Sequence, residues 1–408
     1  MATRLQREEL DKQANAPPEP VYTLTDDSAF PALGGKAKPS PTAPSTDQPM
    51  PHHAWQCLAM PHAWQWPTTP PAMPSDAVCD AMVKAAANNK LDEVRAALAR
   101  VNVNYWTDQH YGTNEHPGKS GSTTALILAA WEGHEAMVAL LLEKGAEVDA
   151  MDSSWHWCMS ARVNIAGGTA LMKAAAEGHE AVVALLIESG AKLNLTNNDG
   201  TALAYAAAGG HEAVVALLLE RGGDPNVQTP PRRRHQRAAC SYADGGDTAL
   251  MVAIEGGHEA VVALLLESGA KLDLKNDKGQ TALMYAAAGG HEAVAEWLLE
   301  RGADLNLQDY AWVSRPHGSL APRTYTALMY AATNATVLAH VDRPKYGHDA
   351  MVALLLEKGA ELNLKSTEGK TAKDLATEAN KATVVVMLEE AERNPGQPMA
   401  TYLKVRGR

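Results

Sequence analysis

The chain has a single phenylalanine, Phe30, and aromatic residues make up only 5% of it. A core of stacked rings is therefore excluded, and Ala, Leu and Val must supply the buried surface. Its four cysteines, Cys57, Cys79, Cys158 and Cys240, lie too far apart for paired metal-ligand spacing. No stretch approaches the roughly 20 consecutive apolar residues of a membrane-spanning helix. Residues 1–20 lack the apolar run of an export signal. Basic excess is missing as well: the net charge of -12 disfavours general nucleic-acid affinity, so any contact with phosphates has to be local. No phosphate-binding glycine loop, GxSxG elbow, HExxH pair or kinase signature occurs. These absences lead us to expect a non-enzymatic protein with no cofactor and no metal, in a reducing cytosolic or nuclear setting.

What the chain does have is repetition. Thr-Ala-Leu recurs at Thr124, Thr169, Thr201, Thr248, Thr281 and Thr326, with Thr-Ala-Lys at Thr371, at spacings of 45, 32, 47, 33, 45 and 45 residues. Residues 281–303 read TALMYAAAGGHEAVAEWLLERGA and residues 201–222 read TALAYAAAGGHEAVVALLLERG. Each copy encodes two short amphipathic helices. The threonine caps free amides at the start of the first helix, and the glycine before His ends it in the left-handed conformation. The short spacings match a period of about 33 residues, and the long ones carry insertions at 104–122, 151–168, 228–247 and 309–325. A further insertion, 333–347, falls between the two helices of one unit.

This pattern resembles the ankyrin repeat over residues 76–393. The resemblance implies an all-α repeat solenoid of about eight helix pairs, with the insertions lengthening hairpin fingers on one edge. Residues 76–100 and 369–393 read as terminal caps, which must show a polar outer face to water. The family's Thr-Pro-Leu-His start is altered here: alanine replaces the proline, and Ile127, Met172, Ala204, Met251, Met284 or Met329 replaces the histidine. Loss of the proline removes a preset helical start, while alanine is the best helix former. Domain limits follow as a disordered arm over 1–74, a repeat domain over 75–393 and a flexible tail over 394–408. The arm, rich in Pro, Ser, Thr and Ala, has too little apolar periodicity to offset about 1–2 kcal/mol of backbone entropy per residue.

Six histidines, His134, His179, His211, His258, His291 and His348, occupy one equivalent place per unit, about one repeat apart, which argues for structure over metal binding or acid–base chemistry. The resemblance implies that each bonds the backbone near the start of its own unit's first helix. It also implies that helix positions on the concave face, and the finger tips, meet partners. Candidate contact residues are Trp106, Trp155, Trp157, Tyr310 and Trp312 on the insertions and Trp131 before Gly133. Tyr205, Tyr285 and Tyr330, two places after Thr-Ala-Leu, either face a partner or pack between units. The third insertion carries PPRRRHQR, where Arg232, Arg233, Arg234 and Arg237 form either an anion or RNA contact or a solvated loop balancing acidic helices. In the arm, Phe30 within DDSAFPALGG and the tryptophan-rich PHHAWQCLAMPHAWQW suit short docking motifs, while His52, His53, Cys57 and His62 match no ligand pattern. The expected function is a monomeric protein-binding adaptor or scaffold; the alternative is an RNA-associated protein using the arginine run.

Overall fold

The computed structural model describes residues 76–107, 122–153, 155–158, 163–197, 200–230, 245–314, 320–333 and 348–395, with backbone alone at 76, 155–158, 163–166, 311–314 and 320–323. All lie in one unit, Pro70–Arg408. The arm, the arginine run, most of the 333–347 insertion and the C-terminal residues from 396 fall outside the described residues.

Eight helix pairs follow in order, as the repeat pattern predicts. They are α1 (Asp76–Ala87) with α2 (Leu91–Leu98), α3 (Ala125–Trp131) with α4 (Glu135–Glu143), α5 (Ala170–Glu177) with α6 (Glu180–Glu188), and α7 (Ala202–Gly209) with α8 (Glu212–Glu220). Then come α9 (Ala249–Gly256) with α10 (Glu259–Glu267), α11 (Ala282–Gly289) with α12 (Glu292–Glu300), α13 (Ala327–Thr333) with α14 (Asp349–Glu357), and α15 (Ala372–Glu378) with α16 (Ala382–Arg393). Two insertions form antiparallel hairpins: β1 (Trp155–Cys158) pairs with β2 (Val163–Ala166), and β3 (Ala311–Ser314) with β4 (Leu320–Arg323).

The first helices are buried nearly throughout. In α5 every residue from Ala170 to Ala176 is buried, and the residues standing where the family has histidine, from Ile127 to Met329, are all in the core. Alanine at so many of these positions lets each first helix pack on the first helices of both neighbouring units. The second helices bury one stripe only: in α6, Val182, Val183 and Leu186 are buried while Glu180 and Glu188 are not. Neighbouring second helices also touch, as in α4–α6–α8–α10 and α12–α14–α16. Burying one such leucine fully contributes about 1.5–3 kcal/mol.

Threonine starts the first helices as its capping chemistry predicts. Thr124, Thr169, Thr201, Thr248 and Thr326 each accept the amide of the residue three places on, at 3.1–3.4 Å. Thr371 adds the reciprocal bond, with Asp374 accepting the Thr371 amide in a capping box. Thr281 makes no such side-chain bond.

The histidines bond elsewhere than expected. His134, His179, His211 and His258 donate from Nε2 to the carbonyls of Ala87, Trp131, Ala176 and Ala208, at 2.8–3.0 Å. Each acceptor lies in the last turn of the preceding unit's first helix, so the bond joins two units. The physical reason is supply: the threonine already serves the helix start, whereas the last carbonyls of the helix before have no intrahelical donor. The glycines then serve two purposes. Gly178 caps α5 at φ +81°, and a Cβ there would come within 2.5 Å of His211 Nδ1. At both terminal units an asparagine takes over the left-handed position, Asn89 and Asn380 (φ 55° each), and lysine follows in place of histidine.

Candidate protein-interaction surface

The finger side of the molecule is built by a second periodic motif. After each Gly-Ala or Gly-Gly turn an Asx residue recurs: Asp149, Asn194, Asn226, Asp273 and Asn306, with Asn104 in the first unit. Each side chain accepts a backbone amide from the next unit, namely those of Glu147 (from Asn104), Lys192, Asp224, Lys271, Asp304 and Glu361, at 2.7–3.0 Å. The ladder runs unbroken from the first unit into the seventh and holds the roots of the fingers in register. Sequence reasoning passed over it, although the Asx recurs at a fixed distance from each glycine.

Three residues beyond each ladder position stands a buried polar side chain that closes the finger base. Asp152 accepts the Gly168 amide at 2.7 Å, Asn197 the Gly200 amide at 2.9 Å, and Asn276 the Lys278 and Gln280 amides at 3.0 and 2.9 Å. Asp309 accepts the Tyr325 amide. These bases also touch across units: Ser153 N–H donates to Ser122 O (3.0 Å), Asp277 N–H to Gly245 O (2.7 Å) and Tyr310 N–H to Lys278 O (2.8 Å). The hairpins therefore rise from a braced row.

The three tyrosines belong to this bracing, which corrects their inclusion among contact residues. Tyr205, Tyr285 and Tyr330 are 3%, 3% and 0% exposed. Their hydroxyls reach the finger bases: Tyr205 bonds Asn197 at 3.0 Å, Tyr285 donates to Asp247 at 3.0 Å, and Tyr330 donates to Asp309 at 2.5 Å. A phenol at this helix position is long enough to span from the core to the base, and burial then requires the hydroxyl to be paired. In the unit of α5 the same position is Lys173. Its ammonium is fully buried, 3.6 Å from Asp152 Oδ2 and 5.2 Å from the centre of the Trp131 ring. Nothing in the bulk composition marked this lysine as a core residue.

The remaining candidates divide by place. Trp106 and Trp131 are half-buried, and the Trp131 carbonyl takes the bond from His179. Trp155 and Trp157 lie in β1 and Trp312 lies in β3, opposite Ala166, Asn164 and Pro322 in the hairpin register. Tyr310, at the root of β3, is 51% exposed and its ring lies against Gly279 of the preceding finger. Arg232, Arg233, Arg234 and Arg237 lie outside the described residues. Among the described residues no group of three His, Cys, Asp or Glu side chains could hold a metal ion, and no helix is long and apolar enough to cross a membrane.

Two family models match the chain. One, described as Ankyrin repeats (3 copies), matches residues 74–152, 156–229 and 234–309, more than half of the chain; the other, Ankyrin repeat, matches residues 324–367. The chain belongs to the ankyrin repeat family. No curated protein matched it. Ankyrin repeats generally serve as protein-interaction modules, and in this array the finger bases are hydrogen-bonded from unit to unit.

Proposed function

We propose that the protein is a non-enzymatic adaptor that grips a protein partner along its finger row. The observation that supports this most is Tyr310: a large side chain left half-exposed at the root of a hairpin whose backbone is bonded to the finger before it. Met151, at the root of the β1–β2 hairpin, is exposed as well (41%). Apolar side chains presented on a braced support lose little freedom on binding, which favours contact over folding back. The strands β1 and β3, which carry Trp155, Trp157 and Trp312, continue the same row, and Trp106 stands beside the Thr107–Thr123 bridge at the foot of the first finger. The N-terminal arm, with Phe30 and its tryptophan-rich segment, supplies a second attachment and so raises the effective concentration of two partners.

The test is capture from native extract on the full chain, compared with a Trp155→Ala/Trp157→Ala/Trp312→Ala variant of equal helicity, each with and without nuclease. A discrete protein set that survives nuclease and is lost by the variant supports the reading. An unchanged set on the variant refutes the role of the fingers. A set lost on nuclease treatment transfers the function to RNA and to Arg232, Arg233, Arg234 and Arg237, where a steep salt dependence is then expected.

A further inference from the structure

Beneath the third and fourth fingers, buried polar side chains form one continuous chain across three units. It starts at Asp247, next to the base of the third finger, where Gly246 N–H donates to Thr229 O and Asp247 N–H to Thr229 Oγ1. Asp247 Oδ1 accepts from Asn276 Nδ2 at 2.8 Å and from the Tyr285 hydroxyl at 3.0 Å. Asn276 holds the short finger of the next unit and also donates to Gln280 Oε1 at 3.1 Å. Gln280 Nε2 donates to the Tyr330 hydroxyl at 2.9 Å, and Tyr330 donates to Asp309 Oδ2 at 2.5 Å. Asp309 is the stem of the fourth finger, exchanging backbone and side-chain bonds with Tyr325, whose ring meets Tyr330 edge-on at 5.5 Å. Asp247, Asn276, Gln280, Tyr285, Tyr330 and Asp309 are all 3% exposed or less.

We infer that this relay locks the bases of the third and fourth fingers into one two-pronged unit, so that a disturbance at one base is felt at the other, two units away. Three features carry the inference. Hydrogen bonds in a dry interior are strong and polarise one another, so a buried chain with each link occupied responds as a whole. The relay is duplicated at the surface by Asp277 N–H to Gly245 O and Tyr310 N–H to Lys278 O, which place the short finger as a spacer between the two long ones. Finally, Gln280 joins the two halves of the buried chain: Asp247, Asn276 and Tyr285 on one side, Tyr330 and Asp309 on the other. The inference concerns the free protein and stands independently of any partner.

Hydrogen exchange on the full-length protein, read by mass spectrometry, tests it. Tyr330→Phe keeps the ring and removes only the hydroxyl link; Asp309→Ala is the stronger perturbation of the same base. Either is expected to speed exchange in peptides covering 245–249 by about fivefold or more, within the usual range of coupling between sites. In a Gln280→Leu background, which leaves Tyr330 bonded to Asp309 and Asn276 bonded to Asp247, the same substitutions should speed exchange at 245–249 much less, by what the backbone bonds alone transmit. Faster exchange confined to 309–325 in both backgrounds overturns the inference. So does equal acceleration of 245–249 with and without Gln280, because transmission would then bypass the buried side chains and run through the backbone bonds or helix packing.

Discussion

Replacing Gly210 by alanine tests the joint between repeats. Gly210 caps α7 at φ +71°, a conformation that costs an alanine roughly 1–2 kcal/mol. A Cβ there would also stand 2.5 Å from Nδ1 and 2.7 Å from Cε1 of His258, the imidazole that bonds Ala208 O at 3.0 Å. The ring has to move, which forfeits that bond (about 1 kcal/mol) and leaves a helix-end carbonyl poorly satisfied, for a total near 3 kcal/mol. Gly190 is the control: its φ is +89°, but nothing lies within 4 Å of a Cβ built on it, so Gly190→Ala should show only the conformational cost. In a His258→Ala background the obstacle is gone, and Gly210→Ala should fall to the Gly190→Ala value. Urea unfolding followed by far-UV circular dichroism, fitted with a nearest-neighbour repeat treatment, gives the four numbers. Equal costs for the two glycines, or a Gly210→Ala cost that ignores His258, would refute the stapling role.

Three further outcomes follow from the geometry. Lys173→Met strands the Asp152 carboxylate in the core and should destabilise by about 3–5 kcal/mol, while adding Asp152→Asn should restore most of that, since an amide oxygen still accepts the Gly168 amide; thermal melts decide it. Hydrogen bonds from the Thr371 backbone and hydroxyl hold the Asp374 carboxyl below the usual carboxylate range. A depressed folded pKa gives stability that is complete above the unfolded pKa and fades as pH falls through the folded value. The exposed capping box should therefore protect α15 by about 1 kcal/mol or less at neutral pH, and wild type and Asp374→Asn should converge as pH falls below the ordinary carboxylate range in melts of the C-terminal unit. Asn226→Ala removes the acceptor of the Lys271 amide, so exchange at Lys271 should quicken several-fold with overall stability changed by about 1 kcal/mol or less, because water replaces the lost partner.

Much of this protein was legible in one dimension. The threonine caps, the glycines at helix ends and the apolar stripes act over three or four residues, so Thr201 and Gly210 alone bound α7 and the recurrence of such signals counts eight helix pairs. The partners of the same residues could not be read this way. His258 sits opposite Ala208, 50 positions away, and Tyr285 opposite Asp247, 38 away, because the stacking of whole units brings them together. The expectation for the histidines failed at that step, since it looked within one unit for a bond that spans two. Lys173 is the plainest case: by composition a surface residue, it is buried because the fold sets Asp152 and the Trp131 ring beside it. Local chemistry settled which segments are helices and where they stop. Only the packing of one unit on the next, which matches donors to acceptors across tens of residues, decided that the tyrosines brace the fingers and that Tyr310 is left exposed to solvent.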